Sequence, residues 1–182
     1  MLQRDKVMKP VHNLYWNPTL PGAGAQLALN SGVPSTGTHM GACGATTITP
    51  AIETTDLDIE NQMSIWRSDV SSSSTEVSIM LYEMTANWLR ISQNATGSGR
   101  EIYFGGKSAL DLTPMAIVYE TMKGSGLFGY YLFYAVQLSS PSAHALAKGE
   151  YSNIEITFTA KTHTSYPDDS LYQHVLPVGF ES

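Results

Sequence analysis

A single cysteine in 182 residues leaves no intrachain disulfide to form. Cys43 therefore excludes a disulfide scaffold of the secreted kind and makes a reducing compartment the expected setting. Charge is scarce as well: Asp, Glu, Lys and Arg make up 14% of the chain, against a usual ~25%. Ten basic side chains face sixteen acidic ones, a net charge of −6, opposite to the basic footprint that phosphate recognition leaves. No apolar run approaches the ~18 residues of a membrane span, and MLQRDKVMKPVHNLYWNP lacks the apolar stretch of a signal peptide. No membrane partner is expected. What the chain does hold is 20 Ser, 17 Thr, 15 Gly and 42% apolar residues. That balance excludes a disordered tail or a coiled coil and suits strands whose outer faces carry hydroxyls instead of Lys and Glu. The length is that of one domain, large enough to fold without disulfide or metal.

Between Lys9 and Glu53 the chain has no charged residue and is dense in Gly, Pro, Ser, Thr and Asn, which predicts turns and short extended pieces. Residues 1–38 read as an extended N-terminal arm, 39–161 as a β domain and 162–182 as a C-terminal tail. From Thr46 the pattern turns β-like, although Pro50 argues for a sheet edge or a break. Asp56, Asp58 and Glu60 share one face of the expected strand, with Leu57 and Ile59 on the other. Met63 to Ser74 reads as a projecting loop or hairpin tip. Val77, Ile79 and Leu81 mark a half-buried strand. Thr85 is placed to N-cap a short helix through Trp88, Leu89 and Ile91, with Gly97 as its expected terminator. Further strands are predicted at 102–106, 113–123, 129–138 and 151–161, the last alternating Ile154, Ile156, Phe158 and Ala160 with polar partners. The sum is a mainly β protein, an antiparallel sandwich or barrel with one short α-helix.

Chemistry is thin. His39, Met40 and Cys43 are metal-ligand types within five residues, but no fourth ligand lies near, so no metal or other cofactor is expected. Cys43 lacks the strand-to-helix context that exposes a nucleophile, and a small buried thiol is the simpler role. Ser98 and Ser125 sit in GSG turns that do not complete G-x-S-x-G, and Gly124 to Gly126 is better explained as a hairpin tip. The acidic strand is more simply a solvated face than a hard-cation site. The run Tyr130, Tyr131, Phe133, Tyr134 lacks the basic neighbours of a base-stacking platform and reads as core and interface. No catalytic residues are assigned, and the protein is not expected to be an enzyme.

The segment HMGACGATTITPAIETTDLDIENQ resembles the opening of tail tube proteins of long-tailed bacteriophages: a glycine turn, a Thr-rich strand, then an acidic strand ending near a loop. TEVSIMLYEMTANWLRIS is similar to that family's strand leading into its single helix, and GEYSNIEITFTAKT to its late strand. The resemblance spans His39 to about Lys161. It implies a phage tail-tube-like β-barrel or sandwich subunit, joining copies of itself into a ring, usually of six, with rings stacking into a hollow tube. Other tail proteins would be partners and DNA a non-specific passenger. The protein would reside in the virion tail, with the host cytoplasm as its place of assembly. On that footing Met63, Ile65, Trp66 and Arg67 are expected to stack on the next ring. Tyr15, Trp16, Tyr172 and Phe180 are candidates for contacts between subunits, with packing on their own domain as the alternative. Asp56, Asp58 and Glu60 are candidates for the lumen, where negative charge would keep DNA from adhering. Another tail or baseplate ring component, a type VI secretion tube-like protein, or a monomeric carbohydrate-binding β-sandwich using Trp16, Trp66 and Tyr130 to Tyr134 are the alternatives.

Overall fold

The computed structural model describes residues 12–57, 67–81, 85–104, 112–121, 126–139, 154–166 and 171–178. The protein is mainly β, with one large antiparallel sheet and one short helix. Six strands carry the sheet: β1 (His12–Trp16), β4 (Thr38–Leu57), β5 (Arg67–Leu81), β6 (Thr113–Glu120), β7 (Phe128–Leu138) and β8 (Ile154–Ala160). Their hydrogen-bonded order is β6-β1-β4-β5-β8-β7, and β7 pairs back onto β6, so the ladder closes into a ring. Closure removes the open edges that six separate strands would present. The pair β2 (Leu29–Asn30) and β3 (Val33–Pro34) forms a small separate hairpin. The strand β9 (Tyr172–Val175) continues along β7 beyond the point where β8 leaves it.

Period-two alternation sorts the side chains onto two faces. One face from all six strands supplies the main core, including Leu14, Val77, Ile79, Ile117, Phe133, Ile156 and Phe158. The opposite face of β1, β6 and β7 carries Tyr15, Ala116, Val118, Tyr130, Leu132 and Tyr134, covered by Leu20, Leu27 and Leu29 from the β1–β4 connection. The uncharged segment is therefore held on its own domain. Leu27 N–H donates to the Tyr130 hydroxyl (2.7 Å), Tyr166 stacks on Tyr134 with centroids 3.9 Å apart, and the Tyr166 hydroxyl donates to the Pro21 carbonyl. Residues 12–16 of the segment read as an arm form β1, between β4 and β6. Periodicity over five residues was too short to show this.

Several local expectations are revised. The glycine-rich stretch from Thr38 is strand, not turn. Between Asn13 and Tyr15 the β1–β4 register slips by one residue on the β4 side, where Gly41 adopts φ 100°. Such a bulge needs glycine's freedom. A second irregularity on β4 lies between Cys43 and Thr46. Pro50 does not break β4, and of the two expectations for it the sheet edge is what is found among the described residues. It pairs with Thr75 on one side, and β4 meets β1 only through residues 38–43, so the missing N–H falls where no other strand bonds.

The helix α1 (Ala86–Ser92) starts as expected, with the Trp88 N–H donating to the Thr85 hydroxyl (3.3 Å). It ends at Ser92 and not near Gly97, because Asn94 takes the left-handed conformation, φ 49°, just past the Gln93 cap. Gly97, at φ 134°, instead allows the Glu101 carbonyl to approach its Cα closely. The strand expected at 102–106 is reduced to one bridge, Thr96 to Tyr103, within the described residues.

Candidate functional site

The pairing of β8 ends at Thr75 of β5, and opposite Thr75 stands Pro50 of β4. Beyond that level β4 and β5 continue only with each other, from Ala51 paired with Ser74 to Leu57 paired with Arg67. Seven residue steps from Pro50 to Leu57 make a ribbon of roughly 24 Å. It leaves the ring as two strands with no third strand on either edge among the described residues. The described side chains on it, Ala51 to Thr54 and Ser72 to Ser74, are exposed. Ile52 is 66% exposed, and beside it the Ser72 hydroxyl donates to Glu53 Oε2 (2.8 Å). Serine, threonine and a few acids give the ribbon solubility but no core, and a two-stranded ribbon alone is marginal in water.

This geometry corrects the reading of Met63 to Ser74 as a projecting loop or hairpin tip in its part from Arg67 onward. Arg67 to Ser74 are strand, extended by pairing with β4 residue for residue apart from one irregularity between Glu53 and Thr54. The four-serine run suggested a loop because serine alone has little strand preference, whereas pairing with a long β4 supplies the missing order. Of the residues expected to stack between rings, Arg67 opens β5 and Met63, Ile65 and Trp66 lie outside the described residues. Of the lumen candidates, Asp56 is in the ribbon, paired with Ser68, and Asp58 and Glu60 lie outside the described residues. Tyr15 is buried in the second core, and Trp16 packs on the first, its ring 5.5 Å from that of Phe158. Tyr172 packs on Phe133 and Tyr131 of its own sheet, and Phe180 lies outside the described residues.

The two ends of the strand ring differ. At one end lies a cleft of about 470 Å³ between α1 and the strands, lined by Trp16, Thr38, Met40, Asn87, Arg90 and Phe158 among others. The helix is fastened there by Trp88, fully buried, whose indole N–H donates to the Met40 carbonyl. Arg90 forms part of the cleft wall. Its Nη1 donates to Asn87 Oδ1 (2.9 Å) and its Nη2 to the Gly99 carbonyl (2.6 Å), while Nε is buried with no acceptor. Among the described residues only neutral oxygens meet the guanidinium, and no acid is among those lining the cleft.

At the opposite end, beside the root of the ribbon, a smaller cavity of about 230 Å³ is lined by His12, Thr46, Ile48, Ile117, Tyr119 and Tyr131. His174 of β9 stacks on Tyr131 (3.9 Å between centroids), and its Nε2 shares a hydrogen bond with the Tyr119 hydroxyl (2.8 Å). Burial, with Tyr131 adding to it, pushes the Tyr119 phenol up to about 12, and burial lowers the His174 imidazole, so the two meet as neutral groups. Burial also lowers His12, whose Nδ1 has no partner. Sequence inspection missed this cluster, since His12, Tyr119, Tyr131 and His174 come from β1, β6, β7 and β9, dispersed along the chain.

The residues considered for chemistry do not converge. Adjacent strand positions put His39 outward and exposed and Met40 inward and buried. Cys43 is fully buried, donates to the His12 carbonyl (3.3 Å), and has its thiol pushed up by burial. A thiol so placed is a poor nucleophile. No group of three or more His, Cys, Asp or Glu able to hold a metal ion occurs among the described residues. Ser98 lies in an exposed turn after α1, and Ser125 is outside the described residues. Tyr130, Phe133 and Tyr134 are buried and divided between the two cores, so they form no shared platform. No described helix is long and apolar enough to cross a membrane. No protein-family model matches the chain, and no curated protein is significantly similar to it in sequence.

Proposed function

We propose that this protein is a structural subunit of the tail tube kind, which polymerises with copies of itself into stacked rings around a hollow conduit for DNA. The observation that carries the reading is the β4–β5 ribbon, a pair of strands that leaves a closed sheet with no third strand on either edge among the described residues and Ile52 exposed upon it. A lone domain gains nothing from such a ribbon, whereas an assembly gains a contact that spans subunits. The six-strand ring with one short helix across its end suits the barrel implied by the resemblance of His39 to Lys161. A net charge of −6 suits a conduit through which DNA slides without adhering. On this reading the protein has no catalytic residues and no cofactor, and its place is the virion tail.

Negative-stain electron microscopy and sedimentation velocity across a concentration series test the proposal. Hollow rings and tubes are expected for the native chain, and their loss in Ile52→Asp with an unchanged thermal transition, since Ile52 supports no core. Rings that never stack would instead assign the protein to a tail or baseplate ring component. A chain that stays monomeric at every concentration refutes assembly as its role.

A further inference from the structure

The geometry points to the cleft under α1 as a binding site for a small organic carboxylate with an apolar body. This site goes beyond the assembly reading above and does not depend on it.

The strands build the apolar side of the cleft. Trp16 at the end of β1 and Phe158 of β8 meet with ring centroids 5.5 Å apart, and Met40 and Leu138 line the same space. Phe158, Met40 and Leu138 are buried, whereas Trp16 is only half-buried, so the indole is the part of this floor that a ligand can still cover. An apolar ring laid there is removed from water. The volume of about 470 Å³ is ample, since an apolar cavity of ~150 Å³ already takes benzene.

The helix builds the polar side. Among the described residues lining the cleft, Arg90 is the one that carries charge. Its Nη1 donates to Asn87 Oδ1 and its Nη2 to the Gly99 carbonyl, while Nε is buried with no acceptor. These bonds hold the guanidinium in place yet use neutral oxygens alone, so its charge meets no carboxylate among the described residues. Arginine can only donate, which makes the Asn87 atom facing it the oxygen and leaves the amide N–H groups of that side chain as further donors. A carboxylate gains more here than a neutral group of the same shape, because hydrogen bonds between charged partners are about twice as strong. A phosphate monoester, at about −2, would need a second cation that the described lining does not hold. One positive charge beside an aromatic floor therefore selects a monoanion with an apolar body.

The probe is naphthoate, with naphthamide as its neutral counterpart, measured by equilibrium dialysis against the native chain, Asn87→Asp and Arg90→Gln. Dialysis reads binding to subunits, rings or tubes alike, so its failure is distinct from a failure of the assembly reading, which microscopy tests. The native chain is expected to take up one naphthoate per subunit with a Kd of about 1 mM or below, and naphthamide at least about tenfold more weakly. Asn87→Asp sets a carboxylate where Arg90 already donates, at an exposed position in the first turn of α1, where an acid suits the helix. This variant and Arg90→Gln are each expected to weaken naphthoate about tenfold or more and to leave naphthamide within about twofold. If Arg90→Gln does not fold, as read by circular dichroism, Asn87→Asp decides the matter. Equal affinity for the two probes, naphthoate binding undiminished in folded Asn87→Asp, or no binding to the native chain at millimolar naphthoate overturns the inference.

Discussion

The indole of Trp88 closes one end of the strand ring, and its replacement separates packing from hydrogen bonding. Trp88 is fully buried, and its N–H donates to the carbonyl of Met40, which lies in the β4 bulge where the regular ladder to β1 is interrupted. Trp88→Ala removes the ring, at about 3–5 kcal/mol for a core aromatic, and leaves the carbonyl without this donor, at about 1–3 kcal/mol. The sum, about 4–8 kcal/mol, rivals the 5–15 kcal/mol that holds a typical domain, so this variant is expected to be largely unfolded or molten. Trp88→Phe keeps most of the apolar contact and isolates the lost donor, for an expected loss of about 1–3 kcal/mol. At about 2–4 °C per kcal/mol for a chain of this size, the transition should fall by about 2–12 °C. Urea unfolding followed by far-ultraviolet circular dichroism reads both variants, with an unchanged m-value as the sign that the folded state is otherwise intact. A Trp88→Phe loss below about 0.5 kcal/mol would refute the reasoning, because the Met40 carbonyl would then not depend on the indole.

Three further outcomes are expected. Cys43, buried and with its thiol pushed up by burial, should resist a thiol-specific reagent near neutral pH in the native protein and react at once in denaturant. Rapid labelling of the folded chain would contradict its placement. His12 and His174 are both lowered by burial, so below the ordinary histidine value of about 6.5 the unfolded chain takes up protons that the folded one refuses. Stability should therefore be full above that value, fall as the pH drops through the window beneath it, and fall less steeply in His174→Phe than in the native chain. Equal slopes would exclude His174 as a contributor. Gly97→Ala combines φ 134° with a Cβ pressed onto the backbone at Glu101, and should cost about 1–3 kcal/mol in a chemical denaturation series. A neutral result would show that the turn after α1 relaxes freely.

Much of the secondary structure was legible because it rests on local rules. Ile154, Ile156, Phe158 and Ala160 alternate cleanly and form β8, and Thr85 caps α1 through its own side chain. Pairing over long distances was not legible. The serine run in β5 has no apolar pattern of its own and is ordered by a partner strand, and Tyr15 and Trp16 gave no sign that β1 lies between β4 and β6. The candidate sites divide in the same way. The sequence showed an acidic, Ile-bearing segment and a short helix with one arginine, but not that they stand at opposite ends of the ring.

By itself, then, the sequence determined the class: scarce charge, one cysteine and period-two runs permit a β domain with hydroxyl-rich faces and exclude a disulfide scaffold. Closure of the ladder through β6 and β7, the length of the ribbon and the setting of Arg90 between the Asn87 and Gly99 oxygens were decided only by tertiary structure. The reason is physical. Alternation is set by neighbouring residues along one strand, whereas register, closure and the environment of a charge depend on which distant strands share hydrogen bonds and what they leave uncovered.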